Sequence, residues 1–431
     1  EGIMRTTATL LTLIAWASGA AAGVLQVPAD HHTVQLAVDA SAPGDTVLIA
    51  PGEYAERVVV ERALSLVADG GDVRLGRLIV RNLPLRETVV VRGIDVTAGG
   101  GFFPPGTALE LTDNAGPVRL EDATLRGSGG YGAIGQPGAH PSGFVGVRVE
   151  NCASVVFTRC TLTGGTGTTV YDEYIDLRGQ GASALSVDGA DVSVHGGSCT
   201  GGDGGSILDT LSIDGGWGGH GIEARNATLF VEGALLAGGD GGDADCDFIA
   251  CGFGGFGGSG ASIGDFAGNP TDGIFRDATF SPGAGGRDGD WSGYAPDGQD
   301  VLVAPGSSET HLPVPWRDFT ASSPERAGST ATLTWDAQAG DELFTWLSVG
   351  TTWAWRPAHD GVFLVDTAVP LNILLFAANA PTDGELSAVF VVPALGPEVD
   401  DLTLFWQGIV RRGAEWYLGP VSVATLLDEQ D

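Results

Sequence analysis

Two glycine-rich stretches concentrate the acidic chemistry of this chain. GGDGGSILDTLSID carries Asp203, Asp209 and Asp214, and GGDGGDADCDFIAC carries Asp240, Asp243, Asp245 and Asp247. Asp203 and Asp240 hold the same place in GGDGG, and Asp172 stands 37 residues before Asp209, so the spacing aligns carboxylates along one edge. If those positions stack as strands do, successive carboxylates lie about 4.8 Å apart. They then repel by about 0.9 kcal/mol in water and roughly 3 kcal/mol at an effective dielectric near 20. A solvated column tolerates this, whereas a buried one needs a cation. Asp243, Asp245 and Asp247 also alternate as DxDxD, which converges hard oxygens on calcium, although Phe248 stands where an EF-hand loop needs glycine. Plain solvated loops are the simpler reading, and calcium on Asp203, Asp209, Asp240, Asp243, Asp245 and Asp247 is the alternative.

Tyr171, Asp172, Glu173, Tyr174 and Asp176 form the densest mixture of aromatic and acidic residues, and Trp217 follows in the next repeat loop. Rings that stack on an apolar sugar face, beside carboxylates that accept hydroxyl hydrogen bonds, suit a glycan surface. A loop that merely packs over the scaffold uses the same residues. Gly219-His220-Gly221 resembles a catalytic histidine setting, yet Gly179-Gln180-Gly181 and Gly258-Ser259-Gly260 occupy corresponding places, so the glycines belong to the turn and His220 is one variant at its centre. Acidic pairs for glycoside hydrolysis are so abundant that no single pair is specific. No motif names a reaction.

These residues leave a repeating scaffold. LELTDNAGPVRLEDATLRGSGG, VRVENCASVVFTRCTLTGG, LSVDGADVSVHGGSCTGG and IEARNATLFVEGALLAGG share alanines at 115, 153, 190 and 227, which lie 38, 37 and 37 residues apart. Such a period marks stacked units that bury their apolar faces on one another. Short β-branched runs such as Val155-Val156-Phe157 and Leu229-Phe230-Val231, punctuated by Asn, Asp and Gly, read as strands. Asn82, Asn114, Gly189 and Asn226 precede the repeat alanines or match them in an earlier rung, and their types suit left-handed turns. Cys152 interrupts that series, with Asn151 just before it. Parallel strands cannot be joined by hairpins, so coiling into a parallel β-helix is the consistent solution.

Composition bounds the setting. The chain has 431 residues, 54 acidic and 21 basic, and every basic one is arginine, for a net charge of −33. Nucleic acid is excluded as a natural partner, and polyanions would need a bridging divalent cation, whereas neutral sugars feel no penalty. Met4-Arg5, an apolar run through Trp16 and Ala20-Ala21-Ala22 read as a signal peptide cut before Gly23 and too short for a membrane span, so secretion or display at the cell surface is expected. Export permits disulfides. Cys246 and Cys251, separated by DFIA, are the expected pair, and a cross-rung bridge from Cys160 to Cys199 is a second possibility.

The segment HTVQLAVDASAPGDTVLIAPGEYAERVVV predicts a capping helix from Val34 to Asp39 and strands at Thr46 to Ile49 and Arg57 to Val60. From this segment and the repeats, roughly Val34 to Gly268, the chain resembles right-handed parallel β-helix proteins of the pectin-lyase-like and NosD-like group. That resemblance implies carbohydrate contact more than any one reaction, since lyases, hydrolases, tailspikes and non-catalytic surface proteins share the fold. Polygalacturonases of the group carry Gly-His-Gly, but their asparagine-aspartate, paired-aspartate and arginine-lysine motifs are not found in order here. Pectate-lyase chemistry would need calcium and an unprotonated base such as Arg178 or Arg225, and nothing in the sequence lowers either pKa.

The expected organisation is a leader over 1–22, a parallel β-helix over 23–300, a Pro-rich linker with its own strand contacts over 301–327, and an antiparallel β-sandwich over 328–431. The last resembles a module of exported proteins from planctomycete-like bacteria. Trp335, Trp346, Trp353, Trp355, Trp406 and Trp416 concentrate there, as core packing or as a stacking platform. The functional expectation is a non-catalytic protein that binds polysaccharide or a surface glycan. A polysaccharide lyase or glycoside hydrolase, and a purely structural surface repeat, are the alternatives.

Overall fold

The computed structural model of the chain describes residues 22–99, 105–131, 141–168, 179–206, 214–246, 251–265, 267–290, 293–313, 315–369, 372–380, 384–395 and 399–428. The protein is all-β apart from two short helical segments among these residues, with two large parallel sheets followed by antiparallel sheets. The first parallel sheet takes one strand from each turn of the chain, from Val24–Val27 and Thr46–Ile49 through Val118–Glu121, Val155–Thr158, Asp191–His195 and Ala227–Glu232 to Ser308–Leu312. The second is divided at the long strand Val73–Arg81, whose first half pairs with Ile94–Thr97 and whose second half pairs with Leu109–Thr112. Two further columns of strands grow from there, so each turn contributes three strands. Register follows the repeat: Val118 pairs with Val155, Val155 with Val192 and Val192 with Leu229.

The alternating pattern explains the core. Val118 and Leu120, Val155 and Phe157, Val192 and Val194, and Leu229 and Val231 turn inward and stack as buried columns. Each such side chain contributes about 1.5–3 kcal/mol on burial, so a one-residue slip would expose the whole column. The leading end is covered by the helix Val34–Ala40, with Val34, Ala37 and Val38 buried. Thr33 caps it by accepting from the Leu36 N–H, while the Glu56 carboxylate accepts from the N–H groups of Val34 and Gln35.

Left-handed residues mark the corners. Asn82, Asn151, Gly189 and Asn226 have φ of 56°, 52°, 67° and 52°. In the rung between Asn82 and Asn151 the left-handed residue is Asp113 (φ 54°), one position before the expected Asn114. Asn114 instead lies fully buried, donating to the Val80 carbonyl and accepting from the Leu83 N–H. Its amide satisfies backbone groups that the corner leaves unpaired. A second set of corners, Asp122, Arg159, Gly196, Gly233 and Asp277, also has positive φ. At Gly233 the requirement is doubled, because an added Cβ would stand 2.3 Å from the Trp316 ring.

Parallel pairing continues past Asp300: Val301–Val303 and Ser308–Leu312 add the last strand to two columns. Within the segment read as a linker, Phe319–Ala321 and Glu325–Arg326 pair with the C-terminal sheets. Those sheets share one core. Leu333, Trp335 and Ala337 from a three-stranded sheet pack on Leu343, Leu404, Trp406 and Leu426 from a five-stranded one. The C-terminal unit also covers the outer face of the first parallel sheet, where Val90, Val156, Phe230 and Ile274 meet Val362, Leu364, Phe405, Val421 and Val423.

Candidate functional site

The described parts of the glycine-rich stretches are layered segments. Residues 201–206 leave the strand Ser198–Thr200, and residues 214–221 return into Ile222–Arg225. The same plan recurs with 238–246 and 251–260, and with 282–290 and 293–300. Outgoing and return segments interlock by backbone hydrogen bonds spaced three residues apart. The N–H groups of Gly202, Gly219, Gly239, Gly258, Gly283 and Gly298 each donate to the preceding carbonyl in the series that starts at Ala182, at 2.8–2.9 Å. Gly205, Gly216, Gly242, Gly255, Gly286 and Ala295 form a second such series from the Gly179 carbonyl. A three-residue period is that of an extended left-handed helix, which has no internal hydrogen bonds and must find them between neighbours.

Glycine is dictated by proximity. A Cβ at Gly202, Gly242 or Gly258 would lie 2.0, 2.1 or 1.9 Å from the carbonyl oxygen of a neighbouring layer. The remaining residue of each triplet points outward, and its side chain completes the backbone accounting. Asp240 N–H donates to Asp203 Oδ1 at 2.9 Å, and Ala284 N–H donates to Asp240 Oδ1 at 2.8 Å. Ser206 accepts from Asp243 N–H and Asp243 accepts from Arg287 N–H. On the return side Gln180 accepts from Trp217 N–H, Asp214 from Phe253 N–H, His220 from Ser259 N–H and Ser259 from Gln299 N–H. The aspartates stand in register as the spacing predicts, but each described carboxylate named here serves the next layer's backbone.

The two faces of this array differ in chemistry. The outgoing face carries Asp203, Ser206, Asp240 and Asp243. The return face carries Trp217, Phe253 and Phe256, which are 49%, 70% and 47% exposed. Trp217 and Phe256 lie against each other with ring centroids 5.4 Å apart and planes tilted by 31°. Pro296 continues that row, its carbonyl accepting from Gly257 N–H as the Phe256 carbonyl accepts from Gly218 N–H. Three large rings held in the open on a scaffold without rotatable side chains are the most conspicuous candidate site in the described structure.

Of the sequence-predicted residues, Trp217 lies on this face, and Asp203, Asp240, Asp243 and Asp245 lie on the outgoing segments. Tyr171, Asp172, Glu173, Tyr174, Asp176, Arg178, Asp209 and Asp247 lie outside the described residues. Among the described residues no three His, Cys, Asp or Glu side chains converge as a metal site requires. Cys246 and Cys251 form the expected disulfide, closing one hairpin with Cα atoms 4.0 Å apart. The Cys160–Cys199 bridge is not formed. Cys199 faces Leu162 across the strands, and Cys152, Cys160 and Cys199 are buried free thiols. Burial pushes the Cys160 thiol up to about 12 and the Cys199 thiol higher still, which removes them as nucleophiles. Arg225 is held protonated chiefly by its hydrogen bond to Asp188, with Nε 3.0 Å from Oδ2, so it is no base.

His220 is a structural acceptor. Its Nδ1 lies 3.0 Å from the Ser259 nitrogen, and burial lowers its pKa below the ordinary 6.5. A lowered pKa in a histidine gives stability that is complete above 6.5 and is lost as pH falls through the folded-state value. Acidification from pH 7 to 5 is therefore expected to accelerate amide exchange at Ser259 and its neighbours by roughly fivefold beyond the intrinsic change, the equivalent of about one neutral hydrogen bond. His220→Asn keeps an acceptor and should abolish that extra acceleration; an unchanged profile in the variant would remove His220 from this role.

Sequence reasoning missed a buried ionic seam beneath the C-terminal unit. Glu121 accepts from Ser422 Oγ at 2.5 Å and Val423 N–H at 2.7 Å, and pairs with Arg159. Glu232 joins His195, at 2.5 Å, to Arg276, which also donates to the Leu418 and Asp360 carbonyls. Arg119 donates to neutral oxygens of Val118, Ser154, Thr351 and Thr352, and burial draws its pKa down to about 9. His195 and Glu232 resemble an acid and base, but at 1% and 0% exposure no polymer reaches them. Their only sequence signal is a polar residue on a strand face that would otherwise be read as solvent-exposed.

No family model matches the chain, and no curated protein matches it. What the structure itself defines is a class: an all-β protein of stacked parallel strands whose glycine hairpins build a two-faced outer array.

Proposed function

We propose that the chain is an exported right-handed parallel β-helix protein of the pectin-lyase-like and NosD-like kind that binds neutral polysaccharide or a cell-surface glycan without cleaving it. The handedness rests on the strong rule for parallel crossovers. The observation that carries the function is the exposed row of Trp217, Phe256 and Phe253 on a rigid array. Flat aromatic faces match the apolar faces of sugar rings, and a scaffold already ordered in the free protein loses little entropy on binding. Binding is favoured over lyase or hydrolase chemistry because Asp214, the described carboxylate on the return side, already accepts the Phe253 N–H. Calcium on Asp203, Asp209, Asp240, Asp243, Asp245 and Asp247 belongs to the same proposal, as the cation that would bridge the acidic segments to a ligand. No helix among the described residues is long and apolar enough to cross a membrane.

The test is affinity electrophoresis through gels of neutral and acidic polysaccharides, with calcium or with chelator, alongside an assay for newly released sugar ends. Retardation by a neutral polysaccharide is expected, with binding about five- to thirtyfold weaker for Trp217→Ala/Phe256→Ala, since two lost stacking faces remove on the order of 1–2 kcal/mol. Calcium-dependent retention would place an ion in the acidic segments. Released ends would overturn the reading in favour of an enzyme, and neither retention nor release would leave a structural surface protein.

A further inference from the structure

We infer that the C-terminal unit holds a separate binding site for a small aromatic carboxylate, in a cleft of about 440 Å³ walled by Trp346, Phe363, Leu374 and Trp416 with Arg356 and His359 at its rim. The cleft is built by residues far apart in sequence: Trp346 from Glu342–Ser348, Phe363 from Gly361–Val365, Leu374 from Asn372–Asn379 and Trp416 from Glu415–Leu427. Its volume falls in the range that encloses a small organic molecule.

The walls are fixed before any ligand arrives. Trp346 Nε1–H donates to Asn372 Oδ1 at 2.7 Å, and the Trp346 ring meets Phe363 edge to face at 5.0 Å. Trp416 packs on the Phe344 ring at 4.9 Å, and the Arg411 guanidinium lies over both rings, 5.2 Å from Trp416 and 5.7 Å from Phe344. Leu374 is 42% exposed at the mouth, an apolar surface left facing water. A flat apolar body therefore finds two ring walls already positioned, and the aromatic edge and face geometry favours an arene over an alkyl chain.

The rim decides the charge. Arg356 ends the strand Thr351–Arg356, His359 sits on the short helical turn Pro357–His359 that follows, and both line the cleft. Among the described residues neither pairs with a carboxylate, whereas neighbouring arginines do: Arg411 with Glu342, and Arg317 and Arg412 with Asp341. In a chain of net charge −33, the lining of this cleft thus carries a guanidinium and an imidazole and no Asp or Glu. A planar guanidinium meets a carboxylate through two parallel hydrogen bonds, and the low dielectric of the aromatic walls strengthens them. A cationic ligand would be repelled and a neutral one would leave the rim unused.

The site stands apart from the glycine array, so its failure would leave the glycan reading untouched. The experiment is isothermal titration of the full chain with 2-naphthoate and with its neutral analogue 2-naphthamide. Naphthoate is expected to bind at least about tenfold more tightly than the amide, the increment of one charge-assisted pair. Arg356→Ala should bring naphthoate to the amide's level with an unchanged Tm, and Leu374→Glu should weaken both probes. Should Arg356→Ala lower the Tm, Arg356→Gln and His359→Gln carry the same comparison. Absence of binding by either probe at millimolar concentration, or a carboxylate preference that survives replacement of both Arg356 and His359, overturns the proposal.

Discussion

Replacing Gly258 with alanine is expected to destabilise the protein by at least about 3 kcal/mol, lowering the Tm by several degrees and opening the outer array to protease. The added Cβ would lie 1.9 Å from the Gly219 carbonyl oxygen and 2.6 Å from its carbon. These are backbone atoms, so no side chain can rotate out of the way. Relief requires moving a whole layer, and Gly258 both donates to the Gly239 carbonyl and accepts from Gly283 N–H. One methyl group therefore breaks hydrogen bonds on both sides, much as a substituted glycine disrupts a collagen helix. Phe253→Ala, on an outward and 70% exposed side chain of the same segment, is the control, with an expected change within about 0.5 kcal/mol. Thermal unfolding with limited proteolysis distinguishes the two. Equal, small effects in both variants would mean that the layers are not closed in solution.

Glu121→Ala is expected to cost about 3–5 kcal/mol, the effect of removing one partner from a buried ionic contact. Glu121 is 2% exposed and lies between the first parallel sheet and the C-terminal unit. Its loss leaves Ser422 and the Val423 N–H without their acceptor and leaves Arg159 and Arg92 sharing only Asp122, Asp318 and backbone carbonyls. The loss should fall on the interface rather than on the stacked core, whose apolar columns do not touch this group. Urea unfolding followed by tryptophan emission reads it directly, because Trp346, Trp353 and Trp355 pack against the seam. A first transition at lower urea, with a red shift and with the parallel core intact by circular dichroism, is the expected result. A single unshifted transition would show that Glu121 does not join the two parts. A double-mutant cycle with Arg159→Ala should return a coupling of more than about 1 kcal/mol.

The two expectations describe one design. The inner columns of Val, Leu and Phe hold the stack together, the described glycine layers display side chains from hydrogen-bonded backbone, and the C-terminal unit shields a sheet face that bears buried charge. Rigidity at the array bears on binding, because rings that do not need to be ordered give more of their contact energy to a ligand. Loss of a glycine layer should thus weaken glycan retention even when Trp217 and Phe256 are untouched.

Local pattern alone determined the period, the strands and their register. Val155, Val192 and Leu229 recur at a fixed offset, and a parallel stack is the arrangement that buries them all. The capping helix at Val34, the corner residues Asn82, Gly189 and Asn226, and the Cys246–Cys251 pair were legible for the same reason, since each depends on a few neighbouring residues. The aspartate columns were legible as spacing but not as roles: whether Asp203 binds a cation or accepts from Asp240 N–H depends on what the next layer presents. Glycine triplets read as loops because an isolated glycine chain is flexible; order comes only when carbonyls from two adjoining layers arrive within hydrogen-bond reach. Arg119, Glu121, Glu232 and Arg276 looked like solvent-facing residues of alternating strands, and only the C-terminal unit, more than a hundred residues away in sequence for three of the four, turned them inward. Periodicity encodes which residues share a face, and only the assembled chain decides what covers it.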